Sequence, residues 1–471
     1  MKQSEKAIEA FKEAAKRPFG MRDKIGYAAG DFANDITFVI AALFMMKFYT
    51  DVMGVSAALV GVLMMAAKVV DAFTDVAMGQ ICDRSPVTAK GKFKPWILRF
   101  SGPVAVASFL IFANYLANAP MGFKVFWMFF TYLLWGSVCY TGVNIPYGSM
   151  ASVMTSDPEQ RQMLSTWRNI GATIAQIVIA VVLPLVVYTT DAEGHKVLSG
   201  NKVMVASLIC SVLAVLVYFV CYSLCTERVL YQQPEGEKKK STAELFRILY
   251  TTRSFLGIIV SALILLVTQL VLTGMASYIY PNYFGNTVMQ SLSALLGCAI
   301  VLVLSTFITK LADKFGKKEL SAAGAVIGAV TLLVVYIIHT HNVAVYVVLY
   351  CIAYAGMAFF NLMCWAMIID VIDDIQVRSG VRSDGTVYSV YSFARKLGQA
   401  ASSGLTGALL TAVGYTSETA FDTNVVNGIY NTAALIPAIG FVCLALSLTF
   451  LYPLSRKKVQ ENNRILAKEQ K

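Results

Sequence analysis

Charged side chains are scarce in this chain: 14% of its 471 residues are Asp, Glu, Lys or Arg, against 57% hydrophobic ones. Soluble domains carry roughly a quarter charged residues, so this composition excludes one. Histidine is nearly absent. The three that occur, His195, His339 and His341, lie in loops, so no imidazole stands at mid-membrane depth to relay protons. Metal-ligand spacing is lacking too: the nine cysteines are scattered, and Cys221 and Cys225, one helical turn apart, have no second pair of ligands beside them. They read as buried reduced thiols. No phosphate-cradling Gly-Lys-Ser element and no nucleophile–base arrangement occurs, which argues against an enzyme and for no cofactor. The first 22 residues lack the apolar core and cleavage site of a signal peptide. They read instead as a short amphipathic helix, Glu5 to Lys16, resting on the membrane surface.

What is present is hydrophobic length. Apolar runs cover residues 24–50, 56–82, 96–118, 122–154, 162–189, 201–226, 253–282, 287–312, 319–339, 343–374, 384–414 and 427–453. Each can cross a hydrocarbon core of about 30 Å, so an all-α membrane protein of twelve transmembrane helices is expected. The net charge of +11 is a matter of topology. Most Lys and Arg residues fall in the N-terminal segment, the even-numbered loops and the C-terminal tail, whereas only Lys124, Lys196 and Lys202 lie near loops of the other side. This positive-inside pattern places both termini in the cytoplasm and calls for no nucleic-acid partner.

Within the second run, Lys68, Asp71 and Asp75 share one helix face at i, i+3 and i+7. An ionised carboxylate at mid-bilayer costs on the order of 3 kcal/mol, and helix capping does not justify two of them. A buried cation site does. Topology sets the depth of other polar residues at about 1.5 Å per residue: Asp35, Asp71, Asn144 and Lys396 all fall about 15–18 Å from the inner ends of their helices. A transporter keeps its substrate at such a layer. Arg168 and Arg395 each need an anionic partner or a wet cavity, while Lys47 and Lys68 have stems long enough to snorkel. An ion pair of Lys396 with Asp71 or Asp75 would lock helices together.

The two halves repeat. Asp83-Arg84 followed by Gly91-Lys92-Phe93-Lys94-Pro95-Trp96 after the second run matches Asp313-Lys314-Phe315-Gly316-Lys317-Lys318 after the eighth. An Asp followed by a basic, Gly-containing loop in each half resembles the signature of the major facilitator superfamily, although the first copy has a longer insert before Gly91. The resemblance implies two six-helix bundles: 24–226 and 253–453, with a surface segment 1–23, a central loop 227–252 carrying Lys238-Lys239-Lys240, and a basic tail 454–471. Small residues such as Gly30, Gly61, Gly79, Gly136, Gly142 and Gly148 fit close helix contacts, in a moving or a static bundle.

Within that superfamily the chain resembles the glycoside–pentoside–hexuronide:cation symporters over nearly its whole length. The match runs through Lys24-Ile25-Gly26-Tyr27 to Gly30-Asp31-Phe32, Tyr49-Thr50-Asp51-Val52-Met53-Gly54, Asp71-Ala72-Phe73-Thr74-Asp75, Asn144-Ile145-Pro146-Tyr147, Trp167-Arg168, Asp370-Val371-Ile372-Asp373 and Arg395-Lys396-Leu397-Gly398-Gln399. The resemblance implies a cation site at Asp71, Thr74, Asp75, Thr141 and Lys396, with Na⁺ on Asp71 and Asp75 if sodium is the coupling ion, or H⁺ otherwise. It implies sugar contacts at Asp35, Tyr140, Asn144, Arg168, Asn361, Tyr391, Ser392 and Arg395. Asp83, Arg84, Asp313 and Lys314 would brace one transport state. Melibiose-type members carry an acid at Asn144, tryptophans at Gly148 and Asn361, and a basic residue at Asn34; these departures argue against the same galactoside. Asn144 to Ser149 together with Arg395-Lys396 is instead similar to glucuronide carriers, and xyloside carriers share the Asn-Ile-Pro-Tyr element. The expectation is a monomeric symporter in the cell (inner) membrane that takes up a glucuronide, or else a xyloside or other oligosaccharide, with Na⁺ or H⁺. A lipid or lysolipid carrier of the same superfamily is the alternative.

Overall fold

The computed structural model describes residues 2–229, 252–379 and 384–469. Chain packing divides it into two units, Met1–Glu235 and Gly236–Lys471. The Lys238-Lys239-Lys240 run and most of the central loop lie outside the described residues.

Among the described residues, ten helices are long and apolar enough to cross a membrane. In unit 1 they are the first span (Met21–Val52), second (Ala57–Arg84), fourth (Met121–Met154), fifth (Glu159–Val186) and sixth (Gly200–Leu224). The third expected span is a helix at Lys94–Ile111, shorter than 96–118 because the chain leaves helical geometry at Phe112 and turns through Asn114–Leu116. Unit 2 contains the seventh (Arg253–Tyr283), eighth (Thr287–Phe315), ninth (Lys317–Ile338), tenth (Val343–Arg378) and twelfth (Thr423–Leu451) spans. Its eleventh is the helix Asp384–Ala412, whose Arg395 and Lys396 lower its hydropathy. The fifth span stops at Val186, where a hairpin pairs Tyr188–Thr190 with Lys196–Leu198 and puts His195 in its turn. The N-terminal helix runs Lys2–Ala15.

Each unit pairs its helices in the same way. The first span packs on the fifth and sixth, the second on the fourth, and the third on the fourth and sixth. The seventh packs on the eleventh and twelfth, the eighth on the tenth, and the ninth on the tenth and twelfth. The repeat reaches atomic detail at helix ends. Both the first and the seventh span finish in a widened π turn, Phe48–Val52 and Ile279–Tyr283. Each is followed by a glycine at positive φ, Gly54 (70°) and Gly285 (60°), and by a matching amide bond, Val55 N to Tyr49 O and Asn286 N to Tyr280 O, 2.9 Å in both. Glycine adopts that left-handed geometry without the Cβ penalty. Tyr49 and Tyr280 hold equivalent places, a correspondence legible in Tyr49-Thr50-Asp51-Val52-Met53-Gly54 against Tyr280-Pro281-Asn282-Tyr283-Phe284-Gly285.

The loops that carry the repeated Asp are tied down differently. In unit 1, Glu227 is 3% exposed and accepts the backbone amides of Lys92 (2.7 Å), Phe93 (2.9 Å) and Lys94 (2.7 Å). Lys94 begins the third span, Phe93 caps it and Lys92 precedes the cap. Burial pushes the Glu227 acid above its ordinary pKa, and the three amides pull it back. Gly91 sits at φ 111°, a conformation that L side chains rarely adopt, and a Cβ there would run into the Glu227 carboxylate. Buried Asp23 binds Arg17 (2.9 Å), Arg228 (2.8 Å) and the Thr226 amide (3.0 Å). Glu227 and Arg228, which the sequence suggests as the start of a linker, are therefore anchored in unit 1. In unit 2, Lys317 holds Asp370 at 2.8 Å, and Ser254 Oγ and Asn462 Nδ2 both donate to buried Asp374. The tail forms a helix, Arg456–Glu469, which encloses a cavity of about 370 Å³ against Asp313, Lys317 and Asp370. Asp83, Arg84, Asp313 and Lys314 have exposed side chains; Lys92 Nζ and Arg456 Nη1 bond the carbonyls of Asp83 (2.8 Å) and Lys314 (2.6 Å).

Glu227→Ala leaves the amides of Lys92, Phe93 and Lys94, at the entrance to the third span, without their acceptor. It should lower stability by about 2 kcal/mol, read as a fall in the melting temperature of the detergent-purified protein. An unchanged melting temperature would contradict the anchoring role.

Candidate cation and sugar site

The second and fourth spans run in the same direction, because one span lies between them. Asp71 and Asp75 are four residues apart on the second, and Ser137 and Thr141 are four apart on the fourth. Parallel helices bring these pairs into step. Ser137 Oγ donates a short hydrogen bond to Asp71 Oδ1, and Thr141 Oγ1 donates to Asp75 Oδ1 at 2.6 Å. The fourth span makes this contact through a π turn, Leu134–Tyr140. Thr141 Oγ1 also donates to the Gly136 carbonyl at 3.1 Å. A Cβ on Gly136 would meet the Asp71 carboxylate oxygens at 3.2 and 3.3 Å, tighter than a relaxed contact. Ser137 is the residue that sequence reading missed; its spacing of four from Thr141, copying that of Asp71 and Asp75, was the available signal.

Lys68 does not snorkel. Its ammonium lies 3.0 Å from Asp71 Oδ2 and 5.4, 5.5 and 5.6 Å from the ring centroids of Phe38, Tyr132 and Trp135. Lys47 is likewise buried and bonds Asp51 at 2.8 Å. Both lysines pair with a carboxylate one turn on, which offsets part of the cost of taking the ammonium out of water. Thr74 turns its hydroxyl to the Asp71 carbonyl at 3.2 Å, so its side chain serves its own helix.

Phe38 and Trp135 also flank Tyr140, at 5.9 and 5.4 Å between centroids, so the Lys68 ammonium and this expected sugar residue share one aromatic wall. Further along the first span, Asp31 is 5% exposed and binds Arg168 Nε at 2.9 Å, with the guanidinium over Tyr147 at 5.6 Å. Asp31 is the anionic partner that Arg168 required. Asn34 accepts from Tyr218 Oη at 2.7 Å, and its Nδ2, like Trp135 Nε1, is buried without a hydrogen-bond partner among the described residues. Asp35 and Asn144 are half-buried. In unit 2, Tyr391 meets Cys364 Sγ at 3.2 Å, the edge of Trp365 at 5.0 Å and the Arg395 guanidinium at 6.0 Å. Asn361 and Ser392 are exposed, and Lys396 is half-buried. Trp365 lies one helical turn beyond Asn361.

The paired helix pattern and the intramembrane polar residues define a multi-pass membrane carrier, and the comparisons agree. A family described as MFS/sugar transport protein matches residues 26–456, and the chain belongs to it. It is 30% identical over 446 residues to the glucuronide carrier protein homolog of Escherichia coli (strain K12), covering 93% of this chain and 94% of that protein. It is 30% identical over 462 residues to the isoprimeverose transporter of Lactiplantibacillus pentosus, covering 95% and 94%. A solved structure titled D-xylose-proton symporter superposes with a TM-score of 0.60 at 15% identity, over 92% of this chain and 97% of that one, which establishes the major facilitator fold. The protein is a membrane sugar transporter of that superfamily and not an enzyme.

Removing one partner of the Asp31–Arg168 pair should cost more than removing both, because it strands a buried charge. Arg168→Leu is expected to lower the melting temperature further than the Asp31→Asn/Arg168→Leu double variant. A double variant that melts lower than the single would show that the pair does not hold the helices.

Proposed function

We propose that the protein is a symporter that takes up a glycoside, with a glucuronide preferred over a xyloside, together with one Na⁺ or H⁺. The observation that carries this reading is the register of the second and fourth spans, which gives each of two mid-membrane acids a hydroxyl from the neighbouring helix. Carboxylate and hydroxyl oxygens are the hard donors an alkali cation takes, and the same acids can hold a proton. Asp71 and Asp75 bind the cation with Ser137 and Thr141. Asp35, Tyr140 and Asn144 bind sugar hydroxyls beside them, and Arg168 exchanges between Asp31 and the substrate. In unit 2, Arg395 is set over Tyr391 and is a basic group of the kind that pairs with a uronide carboxylate. Coupling follows from linkage: a cation that relieves the repulsion between the two acids firms the aromatic wall that also flanks Tyr140, and each ligand raises the affinity for the other. The names of the glucuronide and isoprimeverose relatives support a glycoside as cargo. Basic loops on one side support cytoplasmic termini.

The test is uptake of labelled glucuronide, xyloside and galactoside into proteoliposomes under an inward Na⁺ or H⁺ gradient. Uphill glucuronide uptake that collapses with one gradient is expected, with coupling at least about tenfold weaker in Asp75→Asn. Wild-type coupling in that variant, or transport of a lysolipid in place of every sugar, would contradict the reading.

A further inference from the structure

The tenth span is one long helix, Val343–Ser379, and its exposed side chains change sides partway along. In the half nearer Val343 they are Val345, Val348 and Ile352, a wholly apolar stripe of the kind that lipid covers. Asn361 stands about half a turn round the helix from Ile352. From there the exposed stripe continues through Asn361, Trp365 and Ile369, four residues apart on one face. Met363 and Asp370, which would prolong the first stripe, are buried. An amide facing hydrocarbon is costly, so the second stripe faces water. The neighbouring eleventh span agrees: its Ser392 is exposed and its Arg395 half-buried. Trp365 is 43% exposed on this wet face. Its indole meets the Tyr391 ring at 5.0 Å and 73°, and buried Tyr391 is tied in turn to Cys364 at 3.2 Å.

We propose that Trp365 is the platform on which unit 2 receives the sugar, its indole face packing against the C–H face of a pyranose ring. The inference rests on the glycoside part of the reading above and is independent of the coupling ion. A pyranose carries hydroxyls round its rim and C–H groups on its faces. It therefore needs hydrogen-bonding groups at its edge and an apolar plane beneath it. Asn361, one turn away on the same face, and Ser392 supply the first, and Trp365 supplies the second. Because Tyr391 already holds the indole, little side-chain freedom is lost when a sugar settles on it. The selection is for a ring: a glucuronide and a xyloside both present a C–H face, with or without the carboxylate, whereas an open-chain sugar acid does not.

The experiment compares wild type, Trp365→Phe and Trp365→Leu in two ways: uptake of labelled methyl glucuronide and methyl xyloside into proteoliposomes, and tryptophan emission of the full-length purified protein as each sugar is added. Trp365→Leu should raise KM about tenfold for each sugar carried while changing the maximal rate much less. Trp365→Phe keeps a ring and should recover most of that loss. The sugar should shift the emission of the wild type, and the shift should shrink in Trp365→Phe, a readout that stands even should Trp365→Leu fail to fold. A KM unchanged in Trp365→Leu, or a full-sized emission shift in Trp365→Phe, would overturn the proposal. A wild type that carries no glycoside would end the glycoside reading and this proposal together, whereas uptake that ignores both ion gradients would end the symport reading alone.

Discussion

Two carboxylates in the same stretch of one membrane helix, Asp71 buried and Asp75 half-buried, repel each other more strongly than they would in water. The arrangement of unit 1 around them follows from that constraint. Asp71 takes a hydroxyl and an ammonium, Asp75 takes a hydroxyl, and these partners require the second and fourth spans to run in register. The π turn at Leu134–Tyr140 supplies the fine adjustment, since it rotates Ser137 and Thr141 relative to an ordinary α-helix and puts Gly136 where the Asp71 carboxylate needs room. Widened turns of this kind recur at functional positions because they trade one regular hydrogen bond for a re-aimed side chain.

A second layer of paired charge lies at the helix ends. Asp23 and Glu227 gather the N-terminal segment, the loop before the third span and the exit of the sixth into one knot. Asp370 and Asp374 do comparable work in unit 2 through Lys317, Ser254 and Asn462. The acids that the repeat made conspicuous, Asp83 and Asp313, have exposed side chains. The inconspicuous ones are buried.

Much of the architecture was legible in the sequence because hydrophobic length and loop charge are read one helix at a time. The spans, the half-chain repeat and the pair Asp71 and Asp75 all belong to that kind of signal. What stayed hidden depends on the relative rotation of helices. Ser137 lies 66 residues from Asp71, Asp31 lies 137 from Arg168, and Glu227 lies 135 from Lys92. No local spacing announces such pairs, and a π turn shifts the helical phase from which they might be guessed. Lys68 illustrates the same limit: snorkelling is a property of one side chain, whereas an aromatic cage needs three helices at once.

The central claim, that Asp71 and Asp75 bind the coupling ion, is tested most directly by infrared difference spectroscopy of the purified protein as Na⁺ or protons are added. The account predicts perturbed carboxylate bands in the wild type that are reduced in Asp71→Asn and in Asp75→Asn. A cation-induced spectrum that keeps its carboxylate bands in both variants would place the ion elsewhere and contradict it.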